Sequence, residues 1–114
     1  MSPPMVYCYV PKPEFLLQRA IDKNLAKFTP GEPGDALEEA MAREEAVYDI
    51  LKEVGLEDIG GMEFVKVEER CYMTIALGHN YSVDGVKVTR DGIERIKKVL
   101  ETTYDPIWLP IDLS

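Results

Sequence analysis

From Met62 to Gly78 the chain reads MEFVKVEERCYMTIALG, and this stretch encodes two β-strands joined by a tight reversal. The first run, Met62–Glu69, contains Phe64, Val65 and Val67. The second, Cys71–Gly78, alternates, with Cys71, Met73, Ile75 and Leu77 on one face and Tyr72, Thr74 and Ala76 on the other. A period of two marks a strand whose two faces meet different surroundings. Glu69-Arg70 is the expected turn. Two strands joined this closely pair antiparallel, so the flanking elements attach to an antiparallel sheet.

Upstream, Val6, Cys8 and Val10 alternate with Tyr7 and Tyr9, a short strand closed by Pro11. Lys12–Phe28 reads as a helix with Pro13 in its first turn, its apolar face made of Leu16, Leu17, Ala20, Ile21, Leu25 and Phe28. The breaker Thr29–Gly34 connects it to a second helix. That helix is N-capped by Asp35, runs Ala36–Val54 and is stopped by Gly55 at C′. Its predicted inner stripe is Leu37, Ala40, Met41, Val47, Tyr48, Leu51 and Val54. Downstream, Asp84-Gly85 between Tyr81–Val83 and Val86–Val88 is a hairpin signal. Thr89 caps a helix expected over Arg90–Thr103, with Ile93, Ile96, Val99 and Leu100 inward. In the tail, Ile107, Leu109, Ile111 and Leu113 alternate with Trp108, Pro110 and Asp112. Because Pro110 donates no hydrogen bond, residues 106–114 read as an edge strand or arm. The order predicts one α+β domain over 1–114. Its antiparallel sheet of four or five strands carries helices on one face, most simply in a ferredoxin-like split βαβ order.

Charge narrows the partners. Between Asp35 and Asp58 lie nine acidic residues against two basic ones, Arg43 and Lys52, a local charge of −7 in a chain of net charge −8. Such a surface repels phosphate backbones and anionic membranes and attracts basic proteins. No apolar run approaches the ~20 residues of a membrane span. No basic region followed by an apolar stretch opens the chain, which predicts a cytoplasmic protein with its two cysteines reduced. Cys8 and Cys71 both sit in alternating runs and read as core thiols. With His79 the only histidine, no Cys/His spacing suits zinc, and the glycines fit no phosphate loop, so no cofactor or metal is expected.

Several residues stand out as candidates. Glu38, Glu45, Asp49 and Glu53 lie opposite the predicted inner stripe and form an acidic helix face. That face is either an ordinary solvated one or, with Trp108 on the arm, a surface for a partner. Glu44 projects into the middle of the predicted inner stripe, where a carboxylate must be paired, protonated or exposed. Asn24 holds a similar place on the preceding helix, and the two are expected to meet. Gly78-His79-Asn80-Tyr81 puts a possible acid/base, an amide and a phenol at the end of a strand, as a ligand site or simply a turn.

Three functional readings follow. The first is a small acidic, non-catalytic regulatory domain that binds a basic protein surface or self-associates as a dimer through its arm. The second rests on a resemblance. The stretch Cys71–Val88 running into Ile93-Glu94-Arg95-Ile96-Lys97-Lys98, and Val88-Thr89-Arg90-Asp91-Gly92-Ile93 in particular, resembles the wing hairpin and closing helix of winged-helix domains over about a quarter of the chain. That resemblance implies a winged-helix-like transcriptional regulator that contacts DNA. The acidic Ala36–Val54 helix, unbroken by any turn residue, opposes it and makes nucleic acid an unfavoured partner. The third is a small enzyme or ligand-binding domain that uses Glu44, His79, Asn80 and Tyr81.

Overall fold

In the computed structural model, which describes residues 3–25, 36–81, 83 and 85–113, the elements run β1 (Met5–Tyr9), α1 (Pro13–Asp22), α2 (Ala36–Glu53), β2 (Gly61–Val67), β3 (Arg70–His79), α3 (Arg90–Leu100) and β4 (Ile107–Pro110). The fold is a two-layer α+β arrangement. Four antiparallel strands in the order β2-β3-β1-β4 carry the helices on one face. β1 and β2, which are joined through α1 and α2, are separated in the sheet by β3. β3 and β4, joined through α3, are separated by β1. The predicted Asp35 cap, Phe28, the Thr29–Gly34 breaker and Asp84 lie outside the described residues.

Two cores follow from the alternation. On the helix side, Tyr9, Met73, Ile75 and Leu77 pack against Leu16 and Ala20 of α1, Ala46, Val47, Ile50 and Leu51 of α2, and Ile96 of α3. The other face of the sheet holds Val6, Cys8, Val65 and Ala76, with Leu109 and Ile111 against them. Among the described residues no helix packs on that face. The chain past β4 does so instead: Ile111 bridges to Val65 of β2, its N–H donates to Pro4, and the Asp112 N–H donates to the Phe64 carbonyl at 2.9 Å. The sheet therefore curls until its two edges meet, and the predicted C-terminal arm is the segment that joins them. Full burial of a valine such as Val6 or Val65 contributes about 1.5–3 kcal/mol, so this closure is a substantial part of the stability.

Several boundaries differ from the sequence reading. α1 ends at Asp22 rather than Phe28, and α3 at Leu100 rather than Thr103. Both ends, like that of α2, close in the same backbone pattern. Leu25 donates to Ala20 and Asn24 to Ile21; Leu56 to Leu51 and Gly55 to Lys52; Thr102 to Lys97 and Glu101 to Lys98. This is the Schellman motif, and its C′ residue is left-handed: φ is 57° at Asn24, 75° at Gly55 and 54° at Glu101. Asn24 is thus an exposed cap, not a buried partner for Glu44. Residues 85–89 form no strand, so the predicted hairpin is absent there and the stretch that resembles a wing does not build one. β3 already has β1 and β2 on its two sides, and Val86 instead packs on Gly78, where a Cβ would meet it at 2.7 Å.

The β2–β3 turn lies at Glu68-Glu69, one residue earlier than expected, with Val67 paired to Arg70. Moving the turn by one residue moves each cross-strand partner by two, so the face assignment survives. Both glutamates are left-handed (φ 50° and 68°), which a two-residue turn of this kind demands and which glutamate adopts at a cost. Replacing Glu68-Glu69 with Asn-Gly should stabilise the chain by about 1–2 kcal/mol. A urea melt with unchanged slope and a higher midpoint is the expected result.

The cysteines also separate. Cys8 is fully buried, and burial pushes its thiol up to about 11 despite a hydrogen bond with Thr74. Cys71, against the sequence reading, is exposed near the hairpin end. It stands beyond Met73, where the helix layer no longer covers its face. Burial, then the hydrogen bond and charge of Asp112, raise its pKa above the ordinary thiol value. A thiol reagent should therefore modify one cysteine in the native chain and the second only on unfolding. Deleting residues 106–114 should open the second core and make Cys8 react as well. A truncated chain that still protects Cys8 would rule out closure by the arm.

Candidate functional site

α2 is rotated from the predicted orientation: Val47, Leu51 and Val54 of the predicted inner stripe are buried, but Leu37, Met41 and Tyr48 are not. Ala42, Ala46, Val47, Ile50 and Leu51 point inward, whereas Leu37 (68% exposed), Met41 (58%) and Tyr48 (46%) face solvent. The reason is the neighbouring helix. Ala20 of α1 and Ala42 and Ala46 of α2 let the two helices approach, and Arg19 ties them by reaching Asp49 at 2.9 Å and Glu53 at 3.3 Å. Lys23 adds a longer contact to Glu53 at 3.9 Å. α3 holds the same C-terminal end of α2, with the Arg95 side chain donating to the Val54 carbonyl at 2.9 Å.

This packing divides the predicted acidic face. Asp49 and Glu53 turn toward α1 and are neutralised there, while Glu38 and Glu45 remain exposed. Leu37, Met41 and Tyr48 follow one another at spacings of four and seven, so they form one stripe, and Glu44 lies within it. Glu44 is half-buried on this outer stripe and not inside the core. The result is an apolar strip about three turns long, flanked by Glu38, Glu44 and Glu45, with Lys52 one turn beyond its C-terminal end.

Trp108 stands opposite Tyr7 across the β1–β4 pair, their ring centroids 5.2 Å apart and tilted by 39°. It is 42% exposed; of the apolar residues that alternate with it, Leu109 and Ile111 lie against the second core, whereas Ile107 and Leu113 are exposed.

The His79 loop divides into two roles. The Asn80 side chain clips the start of the chain: its Oδ1 accepts from the Met5 N–H at 2.8 Å and its Nδ2 donates to the Pro3 carbonyl at 2.9 Å. The Asn80 N–H also donates to the Met5 carbonyl, so this residue anchors β1. His79 instead lies 3.4 Å from a Glu63 carboxylate oxygen and packs against Tyr81, with ring centroids 4.9 Å apart. The loop thus brings His79 and Tyr81 together with Glu63, which the sequence did not single out, and directs Asn80 elsewhere. Glu44 is on another element. Among the described residues no three Cys, His, Asp or Glu side chains cluster to hold a metal ion, and no helix is long and apolar enough to cross a membrane.

No protein-family model, curated protein or solved structure matches the chain. The apolar residues of α2 that sequence reasoning placed inward and the structure places outward are Leu37, Met41 and Tyr48. The available signal was that apolar residues cover more of the α2 circumference than a single packed layer buries.

Asn80→Ala should cost about 1–2 kcal/mol, through the loss of two hydrogen bonds. Glu44→Gln should stay within about 0.5 kcal/mol of the parent, as for a surface position. Chemical denaturation of the two single variants checks both.

Proposed function

We propose that the protein is a non-catalytic interaction module whose α2 face docks a basic, amphipathic segment of a partner protein. The observation that carries this reading is the exposed Leu37–Met41–Tyr48 stripe on an otherwise acidic helix. Exposed apolar side chains in a row, rimmed by charge, are the usual composition of an interface centre and its edge. Tyr and Met supply contact area, while Glu38, Glu44 and Glu45 select lysine or arginine around it. The chain's net charge of −8 steers such a partner and disfavours a second copy of the same acidic face. The arm's pairing with β2 of its own chain also weighs against the arm-mediated dimer.

The test is affinity capture with the tagged chain and with a Met41→Glu/Tyr48→Glu double variant, read by mass spectrometry. Both positions are exposed, so the variant should keep its melting behaviour. A partner carrying a basic amphipathic segment should be retained by the parent, lost at least tenfold by the variant, and weakened by salt. Equal capture by both proteins would remove α2 as the docking face.

A further inference from the structure

A pocket of about 880 Å³ opens between the β1–α1 connection and the α3–β4 connection. Its size falls within the range of clefts that hold small molecules, roughly 300–1,000 Å³. Cys8 and Tyr9, both buried, line it, and most of the remaining lining is apolar: Phe15, Leu100, Pro106 and Ile107.

The wall formed by residues 104–107 is held in place before any ligand arrives. The Tyr9 hydroxyl donates to the Tyr104 carbonyl at 2.8 Å, and the Asp105 carboxylate receives Lys97 at 2.7 Å and Arg90 at 3.0 Å. The hydrogen bond from Lys97, then that from Arg90, holds the Asp105 carboxyl below its ordinary range, while burial and the Asp105 charge push the Tyr9 phenol up to about 12. Glu101 turns the chain from α3 into this wall through a left-handed residue, a conformation that a glycine would adopt more easily.

The charges at the rim decide what the pocket favours. Lys12 and Glu101, both exposed, oppose each other in sign, and Asp105 is already neutralised by two cations. The rim therefore has no net charge to favour a ligand of either sign, and a charged group would lose hydration against the apolar walls. We infer that this pocket is a binding site for a small, uncharged, predominantly apolar molecule of aromatic or alicyclic type. The inference is independent of the α2 docking face, which shares none of these residues.

The experiment is amide-resolved NMR titration of the full chain with 2-naphthol, alongside naphthalene-2-sulfonate and 1-naphthylmethylammonium as charged counterparts. The neutral probe should give saturable shifts confined to residues 8–12, 15 and 100–107, with a Kd below about 1 mM. The charged probes should bind at least tenfold more weakly. Ile107→Asp, at an exposed position, should reduce naphthol binding at least tenfold, and Tyr104→Ala gives a second variant whose side chain no hydrogen bond of the wall uses. Scattered or non-saturating shifts, naphthol binding unaffected by Ile107→Asp, or a charged probe binding as tightly as the neutral one would each overturn the inference.

Discussion

A four-stranded sheet has two faces, and the three helices of the described residues pack on one of them. The remaining face, with Val6, Cys8, Val65 and Ala76, is withdrawn from water by curvature: the sheet bends until Ile111, just past β4, meets Val65 of β2. Apolar burial is the dominant favourable term in folding, so this contact between the two ends of the sheet fixes the course of the strands between them. It also satisfies part of an edge that would otherwise present unpaired N–H and C=O groups to other chains. Pro110 sits where its missing donor does least harm, opposite Met5 on the outermost strand.

The helices are stopped by backbone geometry more than by residue type. The three Schellman closures reverse the chain within two residues, and each places an apolar or half-buried residue at C″, namely Leu25, Leu56 and Thr102. Only one C′ residue is glycine. Asn24 tolerates the left-handed region moderately and Glu101 poorly, so packing at those two ends overrides local preference. Glu68 and Glu69 make the same concession in the hairpin, where the antiparallel pairing of β2 with β3 leaves two residues to reverse the chain.

The proposed surfaces depend on these choices. Arg19 determines which way α2 faces, because its guanidinium sits largely buried between the helices and must have carboxylates within reach. Asp49 and Glu53 answer that need. Once they point toward α1, the helical repeat brings Leu37, Met41 and Tyr48 to the solvent side. The apolar pocket, in turn, keeps its wall because Tyr9, Lys97 and Arg90 fix the 104–107 segment across from the β1–α1 connection.

Much of the fold was legible in the sequence. The alternation in Val6–Val10 and Cys71–Gly78, the helical spacing in α1 and α3, the cap at Thr89 and the stop at Gly55 are local signals. Each depends on a few adjacent residues, and together they determined the element types, their order and the α+β class. The Thr89 side chain does accept from the Gly92 N–H, as its type and place imply. The candidate site was less legible. The acidity of α2 was plain, but whether an acidic or an apolar side chain faces water depends on helix rotation. That rotation was set by Arg19 and by alanines too small to mark a face. His79 gained Glu63 as a neighbour only because β2 lies beside β3, and Asn80 became an anchor only because β1 passes its side chain. The ends of α1 and α3, the turn at Glu68-Glu69 and the closure at Ile111 were decided by the tertiary structure. Their energies come from surfaces distant in sequence, and no residue type nearby announces them.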